Sequence, residues 1–161
     1  MPTNRQRLTA VIASVAITLS GAWIARLVPS HAVTAASSAS SADRLSVTIT
    51  GVRNDTGKVI VLVFDNRDAF KAYDYQRAAG YQEIAAAAGD VAVTFPQLTK
   101  GPYAVAAYHD ENGNRDFDMD GQTPREGYAT SGATDAYDAP TFARASMPVG
   151  KLSIKMHYLS H

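Results

Sequence analysis

The chain has no cysteine among its 161 residues. In an exported protein that absence excludes a disulfide framework, so packing alone, or packing with a metal, must hold the fold. It also leaves no cysteine near the N-terminal segment to carry a lipoprotein anchor. Histidine is scarce, at four, and no pair has zinc spacing. Basic charge is not in excess: 15 Lys and Arg stand against 15 Asp and Glu. Setting aside residues 1–35 removes Arg5, Arg7 and Arg26 and leaves 12 basic against 15 acidic residues. There is no basic patch, and nucleic acid is not an expected partner. No internal repeat is visible.

The N-terminus reads as an export signal. "MPTNRQR" carries Arg5 and Arg7, and Leu8 to Ala25 holds no charge. A basic segment before an apolar one is the pattern of a secretory signal. Small residues in "SHA" (Ser30 to Ala32) and "VTA" (Val33 to Ala35) offer cleavage sites. The apolar run of 18 residues, closed by Arg26, also sits at the lower edge of a spanning helix. Residues 1–35 are therefore a signal peptide or an N-terminal membrane anchor, with residues 8–25 as the anchoring segment. Residues 36–43 belong to an Ala/Ser-rich flexible linker. The folded domain is residues 44–161, and its expected location is the periplasm or the extracellular space.

That domain reads as short strands joined by turns. In "RLSVTITGVR", Leu45, Val47 and Ile49 alternate with Ser46, Thr48 and Thr50, a half-buried strand. "NDTG" turns the chain into "KVIVLVFD", which is apolar from Val59 to Phe64 and so covered on both faces. The two are expected to form a hairpin, its second strand inside a sheet. A short helix is expected over Asp68 to Tyr73. Residues 82–87 lean toward a strand, although the alanine run has helix propensity and leaves 81–88 open. "VAVTFPQL", "YAVAAYHD", "FARASMPV" and "KLSIKMHYL" read as further strands, the last two forming a hairpin at Gly150-Lys151. In the last strand Leu152, Ile154, Met156 and Tyr158 face in. The pattern predicts an all-β fold, an antiparallel β-sandwich of six to seven strands.

The richest stretch is "YHDENGNRDFDMDGQTPREGY", Tyr108 to Tyr128. It holds Asp110, Glu111, Asp116, Asp118, Asp120 and Glu126, opposed only by Arg115 and Arg125. Calcium takes six to eight oxygens from carboxylates and amide carbonyls on a curling backbone. Two registers offer them. Asp110, Asn112, Asn114 and Asp118 reproduce positions 1, 3, 5 and 9 of an EF-hand-type loop, with Gly121 where the closing Glu belongs. Asp116, Asp118, Asp120 and Gly121 match positions 1, 3, 5 and 6, with Glu126 one place early. Neither register is complete, and a strand precedes both. The candidate metal ligands are Asp110, Asn112, Asn114, Asp116, Asp118, Asp120 and Glu126, and the expected metal is calcium. The competing reading is plain turns, which Asp, Asn and Gly also favour. Arg115 and Arg125 are expected to pair with the outer carboxylates, Glu111 and Glu126.

Other residues carry less. His109, Asp110 and Ser131 do not form a triad by any motif, and neighbours on a strand point to opposite faces. His109 is expected to pack or to support the loop. Tyr128, Tyr137 and Phe142 are candidates for a ligand surface, with core packing as the plainer role. "GQTPREGY" and "TSGATDAYDAP" extend the acidic loop into a connection of some 30 residues, a length that in a compact domain is often functional.

Across "KGPYAVAAYHDENGNRDFDMDGQTPREGY" the chain resembles a bacterial family, the domain-of-unknown-function family numbered 2141. The shared pattern is carried by Gly101, Tyr103 and Ala104, then His109, Asp110, Asn112 and Asn114, then Asp118, and then Gly121, Pro124, Glu126, Gly127 and Tyr128. The resemblance covers most of residues 45–159. The chain departs from it after Tyr128, where only Ser131 is kept of the family's Gly-Phe-Ser-Asn run, and by one extra residue before Pro124. The resemblance implies an exported protein with a prealbumin-like sandwich. It implies no reaction, and no catalytic residue carries over.

The expected function is an exported cell-envelope binding or structural module with a calcium-binding acidic loop. It is expected not to be an enzyme, and its partner is an envelope protein or a glycan. Contact with a membrane is expected only through an uncleaved N-terminal segment. The alternatives are an envelope hydrolase using the loop carboxylates as acid and base, or a carrier of a small apolar ligand.

Overall fold

A computed structural model describes residues 44–159. The expected leader (1–35) and linker (36–43), with His31 and His161, lie outside the described residues. Among the described residues no helix is long and apolar enough to cross a membrane.

Two sheets pack face to face. One orders β4–β1–β9, built from β1 (Leu45–Val52), β4 (Gly89–Phe95) and β9 (Lys151–Lys155). The other orders β3–β2–β5–β8, built from β2 (Lys58–Phe64), β3 (Gly80–Ala85), β5 (Ala104–Asp110) and β8 (Gly127–Thr130). The expected all-β sandwich forms, with these seven strands in its two sheets. Two further strands, β6 (Met119–Asp120) and β7 (Thr123–Pro124), make a small hairpin in the acidic loop. Residues 80–85 are strand, as the reading of 82–87 leaned.

The alternating faces behave as their patterns require. Leu45, Val47 and Ile49 of β1 enter the core with Val91, Val93 and Phe95 of β4 and with Val59, Val61 and Val63 of β2. Strand β5 is apolar on both faces. Tyr103, just before it, points with its Val105 and Ala107 into the sandwich, while Ala104 and Ala106 point outward. Such a strand needs cover on both sides. The outer cover comes from α1 (Arg67–Ala72) and α2 (Phe142–Ala145), whose Ala69, Phe70 and Ala145 pack on Leu62, Phe64, Ala104 and Ala106. The Asn66 side chain caps α1 by accepting from the Ala69 N–H at 2.9 Å. Tyr73 ends α1 in the left-handed region, with φ of 49°. A residue with a Cβ pays about 1 kcal/mol for that conformation.

Three expectations change. β1 and β2 are not a hairpin: β1 pairs with β4 and β9, and β2 with β3 and β5. Their apolar faces oppose each other across the core, so the "NDTG" turn crosses between layers rather than joining neighbours. "FARASMPV" is not a strand. Phe142 and Ala145, three apart, lie on one face of the short helix α2, and only Met147 bridges to Tyr103, with two 2.8 Å hydrogen bonds. β9 therefore has no hairpin partner before it and pairs with β1 in parallel, by Ser46 with Lys151 through Thr50 with Lys155. A parallel partner needs a long crossover. The chain from β2 through α2 supplies it, and the long connection through the acidic loop is not structureless, since β6, β7 and β8 interrupt it.

Gly57 fixes how closely the turn before β2 approaches the end of β5. Its φ is +71°, and a Cβ there would lie 2.0 Å from the Asp110 carbonyl oxygen. That oxygen is backbone within the β2–β5 register and cannot step aside. Gly57→Ala is expected to lower stability by at least about 2 kcal/mol. The readout is the urea midpoint at unchanged slope. A midpoint matching the parent protein would refute the close approach.

Candidate functional site

Strand β5 delivers His109 and Asp110, both fully buried, to one end of the sandwich. The His109 ring is held from both sides. Its Nε2 lies 2.7 Å from the Thr56 carbonyl oxygen and its Nδ1 2.8 Å from the Tyr158 hydroxyl. A carbonyl only accepts, so in the neutral ring Nε2 carries the proton and Nδ1 accepts from Tyr158. Tyr158 in turn accepts from the Arg53 N–H at 3.0 Å, with the Arg53 guanidinium 4.6 Å from its ring centre. His109 thus ties the 53–57 turn to the C-terminal segment, the packing role of its two expected ones, and touches no side chain of the acidic loop in these hydrogen bonds. Ser131 is buried elsewhere: its Oγ is held by the Val105 N–H and carbonyl and by the Ala145 carbonyl. No triad forms.

The Asp110 carboxylate shapes the acidic loop. It accepts from the backbone N–H groups of Gly113 (2.8 Å), Asn114 (3.1 Å) and Arg115 (2.9 Å). Asn112 Oδ1 accepts from the Asn114 N–H at 3.0 Å, and Asn114 Oδ1 from the Asp116 N–H at 2.8 Å. These are the turns that Asp and Asn were expected to make, and they curl the loop around one side. Both amides then donate to Asp118, Asn112 Nδ2 at 2.6 Å and Asn114 Nδ2 at 3.1 Å. Of the seven candidate ligands, five are drawn together: Asp110, Asn112, Asn114, Asp118 and Glu126. Asp116 and Asp120 stay exposed, and no hydrogen bond joins their carboxylates to the group among the described residues. By itself, no set of three His, Asp or Glu among the described residues gathers closely enough to hold a metal. Any metal must also draw on amide or backbone oxygens.

Glu126 stands out. It is only 4% exposed, its Oε2 accepts from the Asp118 N–H at 3.3 Å, and its Oε1 is buried with no hydrogen-bond partner. Burial pushes its carboxyl up from 4.5 to about 7, opposed by the Asp118 N–H and aided by the charges of Asp118 and Asp110. The linear registers place Glu126 off position. The fold returns it beside Asp118 because β8 pairs with β5.

The arginines pair differently from expectation. Arg53, not Arg115, engages Glu111, through Nε at 2.9 Å and a second, bidentate contact. That pairing holds the Glu111 carboxyl below its ordinary range. Arg115 reaches Glu83 on β3 at 3.0 Å. Glu83 also binds Lys58 at 2.6 Å and accepts from Tyr81, and its carboxyl falls to about 2, chiefly through Lys58. Arg125 pairs with no carboxylate among the described residues; its N–H donates to the Asp118 carbonyl at 2.9 Å.

The loop also roofs a cleft of about 490 Å³ on the outer face of the second sheet. Phe117 stacks between Tyr108 and Tyr128, with ring centres 5.6 and 6.0 Å apart. Tyr73, Tyr128 and Tyr137 line the cleft with Pro124. Tyr128 and Tyr137 are thus where a ligand surface was expected, while Phe142 packs on Phe70 and lines a neighbouring cleft. Sequence reasoning missed Tyr73, Tyr108 and Phe117, which come from three separate segments and share no spacing.

The family model described as "Uncharacterized protein conserved in bacteria (DUF2141)" matches residues 47–157. That span contains the whole motif from Gly101 to Tyr128 and both sheets except for the first two residues of β1. No curated protein and no solved structure matches the chain.

The Glu126 environment sets a pH dependence. Its folded pKa lies above the unfolded one, so the folded state holds the proton more tightly. Stability from this group is fully present below about pH 4.5 and is lost as pH rises through about 7. The loss approaches about 3 kcal/mol. With chelator present, the protein is expected to lose stability between about pH 5 and 7.5 relative to Glu126→Gln, whose pH slope is flatter. Chemical denaturation across that window reads it; parallel slopes would show that Glu126 is not buried as described.

Proposed function

The chain belongs to the DUF2141 family of bacterial proteins, and on that premise we propose that it is an exported, non-enzymatic binding module of the cell envelope whose acidic loop takes a calcium ion. The observation that carries the metal is the Glu126 carboxylate, buried beside Asp118 with one oxygen unsatisfied. A buried carboxylate oxygen without a partner is costly, and a cation removes that cost, as a proton or an ordered water also can. The donors beside it are of the kind calcium takes: the carboxylates of Asp118 and Glu126, and amide oxygens of Asn112 and Asn114 that keep a free lone pair beside the backbone N–H they accept, while Asp110 shapes the loop through its backbone N–H partners. Glu126 supplies the closing carboxylate that position 12 of the first register lacks. Asp116 and Asp120, exposed on the same loop, raise the local cation concentration rather than ligate. Export follows from the basic and apolar N-terminal segment, and outside the cytoplasm a dissociation constant of about 10⁻⁴ to 10⁻³ M is enough for occupancy.

The hydrolase reading has one observation in its favour, since a carboxyl near pH 7 suits a general acid. It is the weaker reading because Glu126 lines neither of these two clefts, where a substrate of any size would sit.

Calorimetric titration of calcium into chelator-treated protein is expected to give one site. At 100 times the dissociation constant, calcium adds about 2.7 kcal/mol. For a domain of this size that raises the melting midpoint by roughly 11 °C. Asp118→Asn and Glu126→Gln are each expected to abolish the heat and the shift. No heat and an unchanged midpoint in the parent protein would sink the calcium site.

A further inference from the structure

The outer face of the second sheet carries a feature that the calcium site does not use. The aromatic cleft of about 490 Å³ meets a second of about 640 Å³, and Tyr73 and Ala139 line both. Their chemistry differs. The first is aromatic and apolar, and its one charged side chain, Asp138, is already satisfied by the Thr134 N–H and hydroxyl, each at 2.9 Å, and by Arg144. The second is lined by Arg67 and Lys71 and by no acid. These two stand four residues apart on α1 and so share one face. Neither makes an ion pair or a side-chain hydrogen bond among the described residues; Lys100, Arg125, Lys151 and Lys155 do not either, but Arg67 and Lys71 are the pair that lines a cleft.

We propose that the joined clefts bind an amphipathic anion, a long-chain carboxylate or phosphate monoester, with its apolar body along Tyr108, Phe117 and Tyr128 and its head between Arg67 and Lys71. Charge complementarity chooses the head, because the unmet charge along the clefts is positive. The aromatic lining chooses the body, since ligand sites of this volume are mostly apolar with a few placed polar groups. Tyr73 sits at the junction in its left-handed conformation, a backbone cost of the kind that collects at ligand sites. Tyr137, 85% exposed at the mouth, is an aromatic face with nothing yet to cover it. The inference does not rest on calcium, because Arg67 and Lys71 lie outside the acidic loop.

The test is calorimetry of the purified protein with laurate, dodecyl phosphate and dodecyltrimethylammonium, each below its micelle concentration, in chelator and again in calcium. Laurate or dodecyl phosphate is expected to bind one per chain in at least one condition, and the tighter of the two identifies the head group. The cationic amphiphile is expected to bind at least tenfold more weakly. The exposed double variant Arg67→Gln/Lys71→Gln should weaken the anions at least tenfold with no change in melting midpoint. Tyr73→Gly should weaken all binding without loss of stability. The proposal is overturned if the cation binds as well as the anions, if the double variant binds them unchanged, or if no anion binds in either condition. Loss of the calcium site with amphiphile binding intact would separate the two readings.

Discussion

The pairing of β2 with β5 governs the molecule, because both strands are apolar on both faces. Val59, Val61 and Val63 with Val105 and Ala107 require a second sheet on one side. Leu62 and Phe64 with Ala104 and Ala106 require a cover on the other. The chain meets the first need with β4–β1–β9 and the second with two short helices. Those helices are too short to cover the whole outer face. Where their cover ends, aromatic side chains from three loops line open space instead of core.

The same pair of strands sets the acidic loop. Strand β5 runs on to Asp110, buried at its C-terminal end, where its carboxylate accepts three successive backbone N–H groups. A charged acceptor of several backbone donors is a strong local organiser. It turns the chain so that Asn112 and Asn114 reach Asp118. Strand β8, pairing back onto β5, then brings Glu126 to the same place. The loop is therefore held at both ends by one strand, and the His109–Tyr158–Arg53 chain fastens that end of the sandwich to the 53–57 turn. Phe117 gives the loop a second attachment, since its ring is part of the cleft wall. The carboxylate cluster and the aromatic cleft are two sides of one loop.

Much of the fold was legible in the sequence. Alternation named the inward residues of β1, β4 and β9 and the doubly buried character of β2, because the two-residue period follows from strand geometry alone. Partners were not legible. A turn such as "NDTG" has the same local chemistry whether it joins neighbours in one sheet or crosses between layers. "FARASMPV" misled for a related reason: over four residues a helical face and a strand face differ too little, and the packing of Ala145 on the sheet decided it.

For the site, the sequence alone determined the donor types and their crowding from Asp110 to Glu126, since turn and ligand chemistry are properties of residue and spacing. It also determined that no disulfide would brace them. Only the tertiary structure decided which donors meet. Asp116 and Asp120, regular in spacing, point to solvent, while Glu126, irregular in spacing, is buried against Asp118. Strand pairing carries it there, and pairing depends on long-range burial that no local register encodes. The aromatic cleft and the Arg67 and Lys71 beside it come from segments far apart in the chain, and only the packing of helices and loops on one sheet face makes them neighbours.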